Sequence, residues 1–193
     1  MRQLSLRDRS AVRLAGPSAM ILLALLTAGC GLVGGPQSLR QDAPQVMTVT
    51  STVIERGTIP RRYTCHGSSR RPQSPPISWS GAPPGTRSIA LVLDDADAPI
   101  TPYVYWIVFD IDPATTDVPV GQLPEGARQA ENSLGRAAYD PPCPHGGNHK
   151  YRFTVYALNS VLTQGNGAPL KSAWTAIARH AIARGRLTGI ADP

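Results

Sequence analysis

Val46–Ile54 (VMTVTSTVI) alternates β-branched with polar residues, the pattern of a strand with one buried face, and Gly57 closes it. A short second strand is predicted over Ile59–Cys65, followed by a turn-rich loop over Ser68–Pro76 and a brief strand at Ile77–Trp79 before the GAPPG turn of Gly81–Gly85. Ser88–Asp94 (SIALVLD) is apolar and β-branched throughout, as expected of a central strand covered on both faces, and Val104–Ile111 (VYWIVFDI) reads as another strand. Tyr151–Asn159 (YRFTVYALN) alternates again and sets Phe153, Val155 and Ala157 on one face. The period then changes. Leu170, Trp174, Ile177, Ala181 and Ile182 form a helical stripe, with Gly185 as its expected C-terminal cap and Arg179 and Arg184 near the negative end of its dipole. His180 falls inside this helix and is expected to be structural. The pattern predicts a mainly β domain, an antiparallel sandwich of two packed sheets with a C-terminal α-helix.

The N-terminus follows a different logic. Arginines within residues 2–13 precede an apolar run from Ala19 to Leu26, and small residues lead to Cys30. A charged region, a short apolar run and small residues before a cleavage point make a secretory signal. The run is too short to span a hydrocarbon core of about 30 Å. Leu26-Thr27-Ala28-Gly29-Cys30 resembles a bacterial lipobox, in which the cysteine is lipidated and becomes the first mature residue; an ordinary signal peptide is the alternative. The expected organisation is a signal peptide over 1–29, a lipidated Cys30 and flexible Gly/Pro/Gln-rich tether over 30–45, and a folded domain over 46–193. Such a protein would sit on the extracytoplasmic side of a bacterial cell membrane, held by two acyl chains where one would be marginal.

Composition narrows the picture without changing it. The 193 residues suit one domain, and 18 Gly with 19 Pro, aperiodic, fit a loop-rich β architecture. The net charge is +6, but part of it belongs to the first 29 residues. Arg61, Arg62, Arg70 and Arg71 form the one dense basic cluster, in a Pro/Ser-rich loop region. It reads as a solvated loop, with anionic lipid or polymer as the alternative partner, and nucleic acid binding is not expected. Of three cysteines, Cys65 and Cys143 remain after Cys30 is assigned to the anchor. In an oxidising compartment they are expected to pair as a disulfide, with free thiols or a redox or metal site as alternatives. No CxxC or zinc-like Cys/His spacing is present, so neither a metal nor a cofactor is expected.

Two stretches carry candidate chemistry. Asp94-Asp95-Ala96-Asp97-Ala98-Pro99 follows the apolar strand, and three carboxylates so close repel one another unless partnered. A solvated turn is the plain alternative. Tyr139-Asp140-Pro141-Pro142-Cys143-Pro144-His145-Gly146-Gly147-Asn148-His149-Lys150-Tyr151 leads into a later strand, where His149 and Tyr151, two apart, share a face. Imidazole N–H, phenol O–H and backbone amides converging there would suit a small oxyanion.

Together these stretches resemble the phosphatidylethanolamine-binding protein family, called Raf kinase inhibitor-like proteins in bacteria. Tyr63-Thr64-Cys65, Ser74-Pro75-Pro76-Ile77-Ser78-Trp79, Gly135, Pro142-Cys143-Pro144 and Phe153-Thr154-Val155-Tyr156-Ala157-Leu158 match in order, so the resemblance covers about residues 46–190. It implies a small pocket for phosphate-like or carboxylate anions, such as a phospholipid headgroup, with Asp95, Asp97, Pro99, Tyr105, Pro144, His149 and Tyr151 as the ligand-binding set. The peptide before Pro99 becomes a candidate for cis. Three positions depart from the family pattern. Ala96 replaces its Pro, Lys150 replaces its Arg and lacks planar bidentate geometry, and Tyr105 stands where a second pocket His is usual. A phenol can donate a hydrogen bond but cannot become a cation, so weaker binding of dianionic phosphate is expected. The resulting expectation is an exported, lipid-anchored binding protein, not an enzyme. A protein-interaction or inhibitor module using the same loops is the alternative, and a hydrolase with His149 as base and Asp95 as its orienter is less favoured.

Overall fold

The apolar run predicted as a central strand is β4 (Ser88–Asp95), and every one of its residues is buried. It lies between β5 (Tyr103–Ile111) and β8 (Lys150–Leu158), antiparallel to both. These three strands are the middle of a six-stranded sheet completed by β2 (Thr58–Ile59), β7 (Arg128–Gln129) and β9 (Ala181–Ala191), in the order β2-β9-β8-β4-β5-β7. A smaller sheet of β1 (Thr48–Thr50), β3 (Ile77–Ser80) and β6 (Asp117–Val118) covers one face. Met47, Val49, Ile77, Trp79 and Val118 meet Ile89, Leu91, Leu93, Phe153 and Val155 in the core between the sheets. The other face of the large sheet is covered by helix α1 (Leu170–His180), whose Ala173, Trp174 and Ile177 meet Ala90, Val92, Ile107, Phe109 and Tyr156. The expected sandwich with one helix is therefore the fold.

This computed structural model describes residues 43–67, 72–95, 97–98, 102–143 and 149–191. The predicted signal peptide, Cys30 and most of the tether lie outside the described residues, as do Pro99, with its candidate cis bond, and Pro144.

Four elements differ from the sequence pattern, each for a tertiary reason. The helical stripe stops at His180, and Ala181 and Ile182 begin the eleven-residue strand β9. Gly185 is not a cap. It sits mid-strand opposite Val155, where any Cβ would collide with the Met47 carbonyl and crowd Val49. The strand expected over Val46–Ile54 is paired over three residues, and the one expected from Ile59 to Cys65 gives way to a 3-10 turn over Arg61–Tyr63. The large sheet is mixed, because the short β2 runs parallel to β9.

Strand β5 carries two bulges. Ile89 and Leu91 of β4 face Ile111 and Val108, so one extra residue is accommodated near Asp110, whose φ of 56° is left-handed. The Asp110 carboxylate accepts the Leu162 amide at 2.8 Å and pairs with Arg128 at 3.3 Å, while burial raises its pKa. At the other end Leu93 and Asp94 face Trp106 and Val104, which leaves Tyr105 as the extra residue. The bulge breaks alternation, so Tyr105 and Trp106 are both part of the core between the sheets.

Candidate functional site

A single row of residues crosses the end of the large sheet. Asp95, the last residue of β4, is opposite Tyr103 of β5 on one side and Tyr151 of β8 on the other. Cross-strand neighbours share a face, so a carboxylate is held between two phenol rings. Tyr105 joins them through its bulge. Its ring lies 4.6 Å from Tyr103 and 5.5 Å, edge-on, from Tyr151.

His149 immediately precedes β8, and its Nδ1 lies 2.6 Å from Asp95 Oδ2. Asp95 is 3% exposed, and its other oxygen accepts the Asp97 amide at 2.9 Å. Asp97 in turn accepts the Lys150 amide at 2.9 Å. The acidic stretch is thus a tight turn whose carboxylates hold the start of β8 in place, and two of its three members are partnered by the segment that carries His149. The third, Asp94, points to the opposite face of the sheet and forms a two-point ion pair with Arg152, one of whose contacts is 3.0 Å.

The opposite rim comes from a loop pinned to the edge of β5. Ser133 exchanges hydrogen bonds with the Val104 backbone, and the buried Asn132 side chain donates to the Ala138 carbonyl at 3.1 Å and accepts the Leu134 and Arg136 amides. The Asp140 amide then reaches the Tyr105 carbonyl at 3.1 Å. This places the Asp140 carboxylate 3.4 Å from the Tyr103 hydroxyl and 2.9 Å from Arg136. Cys65 and Cys143 are joined as a disulfide with Cα atoms 5.1 Å apart, and the Cys65 amide donates to the Pro142 carbonyl.

Between these walls is a cavity of about 540 Å³, lined by Asp95, Asp97, Tyr103, Tyr105, Asp140 and His149 together with Ala98, Pro141 and the disulfide. Of the residues singled out from sequence, Asp95, Asp97, Tyr105 and His149 line it directly. Tyr151 stands just behind the wall, with its ring stacked at 6.5 Å from His149. Pro99 and Pro144 lie outside the described residues. Tyr103 and Asp140 were not singled out. Tyr103 was findable, since it is two residues from Tyr105 in a strand; the position of Asp140 depends on the Asn132 loop and left no local signal.

The phenols are tuned to stay neutral. Burial, then the charge of Asp95, pushes Tyr151 up to about 12. Tyr105 is raised further by burial and by Tyr151 and Asp95, and Tyr103 is raised by burial and Asp140. The Tyr151 hydroxyl is buried without a hydrogen bond of normal geometry, although it is electrostatically coupled to Tyr105. His149 is the one residue that can carry positive charge among the described lining residues. With Nδ1 committed to Asp95, a proton on Nε2 makes the ring a charge-assisted donor toward a ligand.

A family model described as phosphatidylethanolamine-binding protein matches residues 49–191. A UPF0098 protein of Methanothermobacter thermautotrophicus is 40% identical over 146 residues, 73% of this chain and 95% of that protein. LppC of Mycobacterium tuberculosis, whose name provisionally describes it as a lipoprotein, is 37% identical over 193 residues, 90% of this chain and 94% of its own. Among solved structures, Escherichia coli YbcL, described as a member of the mammalian PEBP family, superposes with a TM-score of 0.70 at 27% identity. The match covers 77% of this chain and 99% of that one.

Proposed function

The chain belongs to the phosphatidylethanolamine-binding protein family, and from that premise we propose that it is an exported, lipid-anchored protein that binds a small anionic group in the cavity. The group is a phosphate or the phosphate of a phospholipid headgroup. The observation that carries the reading is the 2.6 Å contact of His149 with Asp95 at the cavity wall, which orients the imidazole. Tyr105 adds a neutral donor, and Tyr151 backs the imidazole. The similarity to LppC supports anchoring through Cys30, and with it a position on the outer side of the cell membrane.

Charge balance refines the ligand. Asp140 is paired with Arg136 and Asp95 with His149, while Asp97 accepts only a backbone amide. A site with this balance favours a singly charged phosphodiester over a dianion. The protein is proposed to bind without turnover. The described wall of the cavity carries no serine or threonine hydroxyl, and both of its sulfurs are bonded to each other.

The test is a titration with phosphate, phosphoethanolamine and acetate followed by NMR of the His149 ring and the amides of Asp95 and Tyr151. Saturable shifts support the reading. Unmoved resonances at millimolar ligand reject it and shift attention to a protein partner for these loops.

A further inference from the structure

The N-terminal segment joins the domain at one residue of β9. Arg184 donates its amide to the Pro44 carbonyl at 2.9 Å, and its own carbonyl accepts the Val46 and Met47 amides at 3.1 and 3.0 Å. Met47 turns into the core, whereas Val46 is 61% exposed. The inward positions of β9 beside Arg184 are Ala183 and Gly185, so Arg184 and Arg186 alternate onto the outer face of the large sheet. Arg186 confirms this side by donating to Thr154 Oγ1 at 3.0 Å.

Strand β8 extends the same face. Lys150 and Arg152 stand opposite Ile190 and Thr188, and Ile190 is 38% exposed. Helix α1 covers the part of the sheet around Val92, Tyr156 and Leu158; of the four cations Lys150 is exposed and Arg152, Arg184 and Arg186 are partly exposed. Asp94 neutralises Arg152, and the adjacent Glu55 and Arg56 cancel. Arg184 and Arg186 have no ion-pair partner among the described residues, and Arg184 Nε is buried without a hydrogen bond.

We infer that this face, with Lys150, Arg152, Arg184 and Arg186 between the exposed Val46 and Ile190, docks on an anionic phospholipid bilayer. The inference rests on the anchored reading, because the bilayer is the one that would hold the diacylated Cys30. Thirteen residues separate Cys30 from Pro44, so the anchor lies within about 50 Å of Arg184 even with the chain fully extended. The chain therefore joins the fold at the edge of β9, the strand whose outer face carries Arg184 and Arg186. Cationic heads drawn to anionic headgroups with apolar residues beside them are the chemistry of a membrane-surface contact.

The experiment reconstitutes the mature, lipidated chain in vesicles of phosphatidylcholine alone or with phosphatidylglycerol. Arginine modification by phenylglyoxal is read site by site, with Arg128 on the far edge strand as reference. Modification of Arg184 and Arg186 should fall about tenfold on the anionic vesicles and recover at high salt. Equal modification on both vesicle types overturns the inference. In the Arg184→Gln/Arg186→Gln variant, lipid-dependent protection of Lys150 from an amine-reactive label should vanish with the thermal melt unchanged; protection that persists also overturns it. Protection by a soluble polyanion but not by anionic vesicles would assign the face to a different partner and reject the bilayer. Mass spectrometry of the native protein tests the anchor separately: a chain lacking acyl groups refutes the anchored reading, while its footprint on added vesicles still reports on the face.

Discussion

Asp94 and Asp95 are sequence neighbours in β4, equally buried at 4% and 3%, and each is paired with a cation from β8 or the residue before it. They face opposite sides of the sheet. Asp94 meets Arg152, a permanent cation whose pKa is raised further by the Asp94 hydrogen bond. Asp95 meets His149, a ring that lines the cavity and is held there through its Nδ1. Adjacent residues of identical chemistry thus serve different ends. One anchors an arginine on the outer face of the sheet, and the other orients a ring at the cavity wall.

The largest expected effect comes from breaking the fixed pair. Asp94→Ala leaves a half-buried guanidinium without its partner and should destabilise the domain by about 2–3 kcal/mol in urea unfolding, with little change in phosphate affinity. Loss of affinity equal to that of a site variant would mean the two carboxylates are not separable. Next is Asp95→Asn, which keeps shape but removes the charge that holds His149. Phosphate affinity should drop on the order of tenfold by titration calorimetry, reflecting a lost charge-assisted contact, with a smaller loss of stability than in the first variant.

Tyr105→His sharpens the comparison from the other direction. It adds a second titratable cation to the cavity and should raise affinity for dianionic phosphate several-fold, more at low pH than at high pH. Unchanged affinity would take Tyr105 out of the ligand's reach. The smallest effect concerns the phenols behind the site. Tyr151 is held up to about 12 by burial, against about 10 in an unfolded chain. The folded state therefore keeps its proton where the unfolded state has lost it. The stabilisation is complete below pH about 10 and is lost as pH rises through about 12. Alkaline denaturation of Tyr151→Phe should show a shallower slope in this window than the parent, and an identical slope would mean the phenol titrates normally.

Much of this was legible in residue order. The strands β4, β5 and β8 announce themselves as apolar or alternating runs, because burial on a pleated sheet is written directly into side-chain period. His149 and Asp95 were legible through their motifs. What the sequence hid depends on contacts between distant segments. Ala181 and Ile182 continue a helical stripe perfectly well, yet they belong to β9, since the gap between β2 and β8 requires a strand there. Gly185 looks like a cap, but Met47, far away in sequence, is what demands a glycine. The bulge that turns Tyr105 inward beside Trp106 has no local marker, and neither has the Asn132 loop that delivers Asp140 to the rim.

Strand β9 has one more consequence. It is the last element of the chain, yet it lies inside the sheet, flanked by β2 and β8, and receives the N-terminal segment at Arg184. Early strands wait for it. Until it is in place, the facing edges of β2 and β8 are left unpaired. The large sheet is thereby latched by its first and last strands lying side by side, which makes its closure a long-range event.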